Sequence, residues 1–150
     1  MILVVIFYGR VLFYQEQAEK WAMVGVVSAV QSALILQQSH LRIQGKESKI
    51  HMLAMVNPMG WLELKPQNYV GEIFDPAPDE IVPGNWAFDL KSRELIYMPE
   101  HDRHLTIMGG EKHWIRYRVN LEKNNFPNAG GKKGGGGISF EPVAAYRWDI

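Results

Sequence analysis

From Met1 to Gly45 the chain contains no proline. It opens with the apolar run Met1-Ile2-Leu3-Val4-Val5-Ile6-Phe7-Tyr8, passes Gly9-Arg10, returns to Val11-Leu12-Phe13-Tyr14, and then turns amphipathic. One continuous helix of this length would measure ~67 Å at 1.5 Å per residue, far beyond the helix of an average globular domain. A helix that is apolar at one end and amphipathic at the other implies a protein placed in two environments.

The apolar start is not built like a secretory signal, because the apolar run comes first and no A-x-A pattern follows it. No cleavage is expected after it. As helix, residues 1–14 would cover ~21 Å, short of the roughly 20 apolar residues of a full span. Arg10 interrupts them, but an arginine near the end of a span can reach the interface. The segment, with Ile2, Val5, Ile6, Phe7, Leu12 and Phe13 as its apolar members, therefore reads as a partial or truncated membrane helix. The alternatives are a buried core helix and an interfacial amphipathic one. The second half, residues 15–45, carries a stripe at Met23, Val27, Val30, Leu34 and Leu41, spaced to lie on one face. That stripe predicts a sheet or partner helices lying on it. Gly45 is a natural C-terminal cap.

Beyond Gly45 the signals shorten. Ser48 could cap a short helix over residues 49–56, with Ile50, Leu53 and Met55 or Val56 on its apolar side. Residues 57–85 hold five prolines and three glycines but also Trp61, Leu62, Leu64, Tyr69, Ile73 and Phe74. This pattern predicts a long packed loop rather than a linker. From Trp86 the period changes to two. Residues 86–90 and 94–98 predict a β-hairpin around Lys91-Ser92-Arg93. Further strands are expected at 104–107, 113–121 and 138–141, with a last segment at 143–148. Pro142 marks an edge or a bulge. Residues 124–137 hold six glycines and read as a flexible excursion. Strands grouped after helices give an α+β fold, one long helix packed on an antiparallel sheet of about four strands. The expected division is an apolar segment 1–14 and a head 15–150 with helix spine 15–45.

Few function classes survive. With 150 residues there is room for one real core. Sixteen basic residues balance 16 acidic ones, which argues against a general nucleic-acid binder. The absence of cysteine removes disulfides, thiolate metal sites and cysteine nucleophiles. His101-x-x-His104 with Glu100, Asp102 and His113 is a metal-like cluster, but the plainer reading is a solvated turn. Asp75-Pro-Ala-Pro-Asp79-Glu80 lacks calcium-loop spacing, and Gly130-Gly131-Lys132-Lys133-Gly134 lacks the Ser or Thr of a phosphate loop. Trp114, Arg116 and Arg118 on one strand face could stack bases, although an exposed face with cation–π pairing is the simpler account. No nucleophile, base and orienting group can be assembled, so neither an enzyme nor a cofactor or metal site is expected.

Three stretches carry a resemblance that spans nearly the whole chain. The apolar start running into Tyr14-Gln15-Glu16-Gln17-Ala18-Glu19 and Val26-Val27-Ser28-Ala29-Val30-Gln31-Ser32-Ala33-Leu34 resembles the helix of a type IV pilin or type II secretion pseudopilin leaving the membrane. Asn57-Pro58-Met59-Gly60-Trp61-Leu62 with Lys65-Pro66-Gln67-Asn68-Tyr69-Val70-Gly71-Glu72 is similar to the helix-to-sheet loop of minor pilins of the mannose-sensitive haemagglutinin type. Gly84-Asn85-Trp86-Ala87-Phe88-Asp89 and Glu94-Leu95-Ile96-Tyr97 resemble the first sheet hairpin of those proteins. The chain departs from the family in lacking a basic leader, a Gly-Phe-type cleavage site, a glutamate at the fifth mature position and the frequent C-terminal cysteine pair. Glu16 lies past the apolar run and cannot be that glutamate. The resemblance implies a structural subunit anchored in the inner membrane, its head in the periplasm or on a pilus at the cell surface. Other pilin or pseudopilin subunits would be its partners, met through Met23, Val27, Val30 and Leu34 or through the packed loop. The alternative is a membrane-tethered periplasmic binding module of pilin-like shape, with its ligand site on residues 75–83 and 124–137.

Overall fold

The computed structural model describes residues 1–109, 113–122 and 137–150. The glycine-rich excursion lies outside them apart from Gly137. Helix α1 runs from Ile2 to Ile43, 42 residues or about 63 Å. It ends because Gly45 adopts φ 68°, a left-handed conformation that glycine takes without a Cβ clash. The Lys46 amide then donates to Leu41 O (2.8 Å) and the Gly45 amide to Arg42 O (3.0 Å), which closes a Schellman cap. The helix therefore stops two residues before the expected boundary. His40 and Arg42 occupy its last turn, where positive charge complements the helix dipole.

The chain continues as a 3₁₀-helix from Glu47 to Met55, not the α-helix expected there. Its three-residue repeat buries Ile50 and Leu53 and leaves Met52, Met55 and Val56 exposed. Met55 and Val56 are thus off the packed side where the sequence placed them. A second 3₁₀-turn, Pro58–Trp61, starts at Asn57, whose side chain accepts the Met59 amide at 3.0 Å.

Seven strands follow: β1 Tyr69–Ile73, β2 Trp86–Asp89, β3 Glu94–Tyr97, β4 Leu105–Ile107, β5 Ile115–Leu121, β6 Ile138–Pro142 and β7 Tyr146–Trp148. They form a five-stranded sheet in the order β1-β2-β3-β5-β6 and a two-stranded sheet of β4 with β7. The architecture is α+β and mostly antiparallel, as expected, but the sheet is larger than four strands. The added strand is β1, which pairs parallel with β2 and carries a register shift between Tyr69 and Glu72. Gly71, at φ 106°, takes up that irregularity in a conformation that side-chain-bearing residues rarely adopt.

The pleat sorts the sheet into two faces. Trp86, Phe88, Leu95, Tyr97, Ile115, Tyr117, Val119 and Phe140 join Met23, Val27, Val30 and Leu34 of α1 in the main core. Each fully buried side chain of this size is worth ~1.5–3 kcal/mol. On the far face Ile81, Ala87, Ile96, Met98 and Trp114 form a smaller cluster. Trp114 is therefore buried rather than an open stacking platform. Arg116 does lie over its ring, 4.3 Å from the centroid. The Arg116 guanidinium also bonds Asp89 (3.1 Å) and Glu94 (2.9 Å), both buried, so this face is a satisfied ion-pair network.

Candidate functional site

Helix α1 divides into three parts by what its side chains meet. Met1 to Arg10 are all exposed, including Ile2, Val5, Ile6 and Phe7, the last at 71 %. Such a continuous apolar surface does not stay in water without a cover. With a mean hydropathy of 1.3 over 18 residues, α1 is long and apolar enough to cross a membrane. Leu12 is half-buried and Phe13 meets the His104 ring edge-on at 6.1 Å, so these two mark where helix and head first touch.

The second part is a clamp at this neck. Glu16 is only 2 % exposed. Its Oε1 accepts from the His104 amide (2.8 Å) and the Trp148 indole N–H (3.0 Å), and its Oε2 lies 2.8 Å from His104 Nδ1. One turn on, Glu19 Oε1 accepts from the Tyr97 hydroxyl and the Glu100 amide, each at 2.7 Å. Its Oε2 takes the His101 amide and faces His101 Nδ1, each at 2.8 Å. Lys20 adds a bond to Trp148 O at 2.7 Å. Burial alone would raise the Glu16 pKa, but the His104 and Trp148 donors outweigh it and hold the carboxyl below its ordinary value. Burial, with Glu19 beside it, pushes the Tyr97 hydroxyl well up. His101 and His104 thus bond the helix from a turn that is otherwise solvent-exposed, and no group of three or more metal-ligating side chains occurs among the described residues.

The third part is the spine. Met23, Val27, Val30 and Leu34 are buried against the sheet, and Leu41 is half-buried at the margin of the same core. This stripe packs on the chain's own sheet and cannot also be the surface that meets a neighbour. The opposite face is open: Trp21, Ala22, Gly25, Ser28, Ala29, Ser32, Ile35, Leu36 and Ser39 are exposed. No charged residue occurs from Trp21 to Ser39. Small residues at this spacing allow close approach of another backbone.

The proline-rich loop, residues 57–85, is tied down by hydrogen bonds and an ion pair, while the other candidate ligand segment, 124–137, lies outside the described residues apart from Gly137. Asp75 pairs with Lys91, and Glu80 accepts the Ala77 amide at 2.9 Å. The long loop also carries Asn57, which donates to the Tyr69 hydroxyl (2.7 Å) and to Glu72 (3.0 Å). A cleft of about 190 Å³ opens at the neck beside Leu12, Glu16 and residues 100–103.

Scans of family models, curated proteins and solved structures give no match. The sequence signal for the clamp was the pair Glu16/Glu19, three residues apart, facing His101/His104 at the same spacing. The fold joins the two pairs across more than 80 residues.

Proposed function

We propose that the chain is a minor pilin or pseudopilin, a structural and assembly subunit of a type IV pilus or type II secretion system. Residues 1–14 anchor it in the inner membrane and the head stands in the periplasm. The observation that carries this reading is one uninterrupted helix whose first ten residues are exposed and mostly apolar, while its second half is the spine of an α+β head. The uncharged outer face from Trp21 to Ser39 supports it further, as a surface of small residues on which neighbouring subunits would pack. In this reading the contact surface is that outer face, and Met23, Val27, Val30 and Leu34 serve the internal packing.

Deleting residues 1–14 tests the anchor. The truncated chain should leave the membrane fraction and no longer support fibre assembly. Because the chain has no cysteine, Ser28→Cys and Ser32→Cys give clean cross-linking probes of the outer face. Cross-links to pilus subunits from these positions, and none from Val30→Cys, are expected. A truncated chain that stays membrane-bound with assembly intact would sink the proposal.

A further inference from the structure

We propose that the end of the head farthest from residues 1–14 is a lipid-docking tip, built to seat on an anionic membrane surface. The Schellman cap at Gly45 turns the chain directly into the 3₁₀-helix Glu47–Met55. In a helix with three residues per turn, side chains three apart stand in one row. Ile50 and Leu53 form the buried row. Lys46, just before the helix, and Lys49, Met52 and Met55 stand at the same spacing and are all exposed. The row is therefore two cations followed by two methionines. Arg42 and Ile43, the latter 86 % exposed, flank it from the last turn of α1. Val56 extends it, and the Arg93 guanidinium reaches Met55 O.

The charge there is lopsided in an otherwise neutral chain. Residues 40–56 hold Arg42, Lys46 and Lys49 against Glu47 alone, and none of these three cations takes part in an ion pair among the described residues. Exposed cations interleaved with protruding apolar side chains match the phosphate and acyl layers of an anionic lipid surface. Methionine is flexible and needs no matching pocket, and lysine stems lie along apolar surface while their ammonium heads reach phosphate. With residues 1–14 held in one membrane, a premise taken from the proposed function, the 29 remaining helical residues would carry the tip about 43 Å away from the anchor. The tip would then stand clear of the anchoring membrane and be free to seat on a second lipid surface.

The test is vesicle tethering. The full chain is reconstituted in phosphatidylcholine vesicles, and labelled vesicles of phosphatidylcholine, with or without phosphatidylglycerol, are added. Capture of the anionic vesicles only, falling as salt rises, is the expected result. Lys46→Gln with Lys49→Gln should lower capture roughly 25-fold, about fivefold for each cation. Met52→Ser with Met55→Ser should also weaken it while leaving the salt dependence. Circular dichroism checks that these surface variants are folded. Equal capture of neutral and anionic vesicles, or undiminished capture by the lysine variant, would overturn the proposal. So would binding of soluble polyglutamate without capture of anionic vesicles, since the partner would then be an acidic protein. Flotation of the chain with its neutral host vesicles reports on the anchor separately. If the anchor fails, flotation of the same variants with anionic vesicles tests the tip directly.

Discussion

Glu16 joins three segments through one carboxylate: α1, the turn before β4 and strand β7. Glu16→Gln would replace the carboxylate by a neutral amide, so the His104 amide and the Trp148 indole lose a charged acceptor and the pairing with His104 Nδ1 loses its charge assistance. Hydrogen bonds to charged groups are worth about 1.5–3 kcal/mol each, and a loss of ~2–3 kcal/mol is expected by urea denaturation at neutral pH. The pH dependence has a definite sign. The Glu16 pKa is lowered from 4.5 on folding, so the folded state holds the proton less readily than the unfolded state. Its contribution is complete above 4.5 and is lost as pH falls through the lower folded value. The stability gap between the parent chain and Glu16→Gln should be flat from neutral pH down to the unfolded value and shrink below it. Asp89, whose pKa burial would raise but the Ser92, Lys91, Arg116 and Asp75 donors hold low, is common to both and cancels in the difference. A gap that does not change with pH would show that Glu16 is not the titrating group.

At the scale of elements, α1 has an inside and an outside that mutation can separate. Met23→Ala removes a side chain 1 % exposed and should cost about 2–5 kcal/mol. Ser32→Ala on the outer face should change stability by less than about 0.5 kcal/mol. Gly45→Ala keeps every packing contact but forces a left-handed alanine, costing ~1–2 kcal/mol, again read by urea denaturation. The helix and the β2–β3 hairpin were legible because both rest on local periodicity: a proline-free run with a 3.6-residue stripe, then strict alternation. Strand β1 was not. It is five residues inside a proline-rich stretch with a glycine at its centre, and it is fixed by parallel pairing with β2 across Pro76, Pro78 and Pro83. The segment 47–55 shows apolar residues at Ile50 and Leu53, a spacing shared by α and 3₁₀ geometry, so the sequence did not choose between them. The clamp was invisible for a different reason. A helix carboxylate such as Glu16 and a histidine in a distant turn carry no sign that they pair until the chain segments meet.

At the scale of the whole molecule, the proposed function has one helix serve two environments without a break. The head needs α1 only from about Leu12 onward, where side chains begin to be covered. The ten residues before Val11 are exposed and, Gly9 and Arg10 apart, form an apolar surface with nothing on it among the described residues. The neck clamp sits at the transition and fixes the direction in which the apolar segment leaves the head. This division of α1 into a lipid-facing segment and a head-facing spine is tested most directly by cysteine accessibility, since the chain has no native thiol. Val5→Cys, Phe7→Cys, Ala18→Cys and Ser32→Cys would each be exposed to a membrane-impermeant maleimide, in intact membranes and in detergent. Positions 5 and 7 should be protected in membranes and labelled in detergent, while 18 and 32 react in both. Labelling of positions 5 and 7 in intact membranes as readily as position 32 would contradict it.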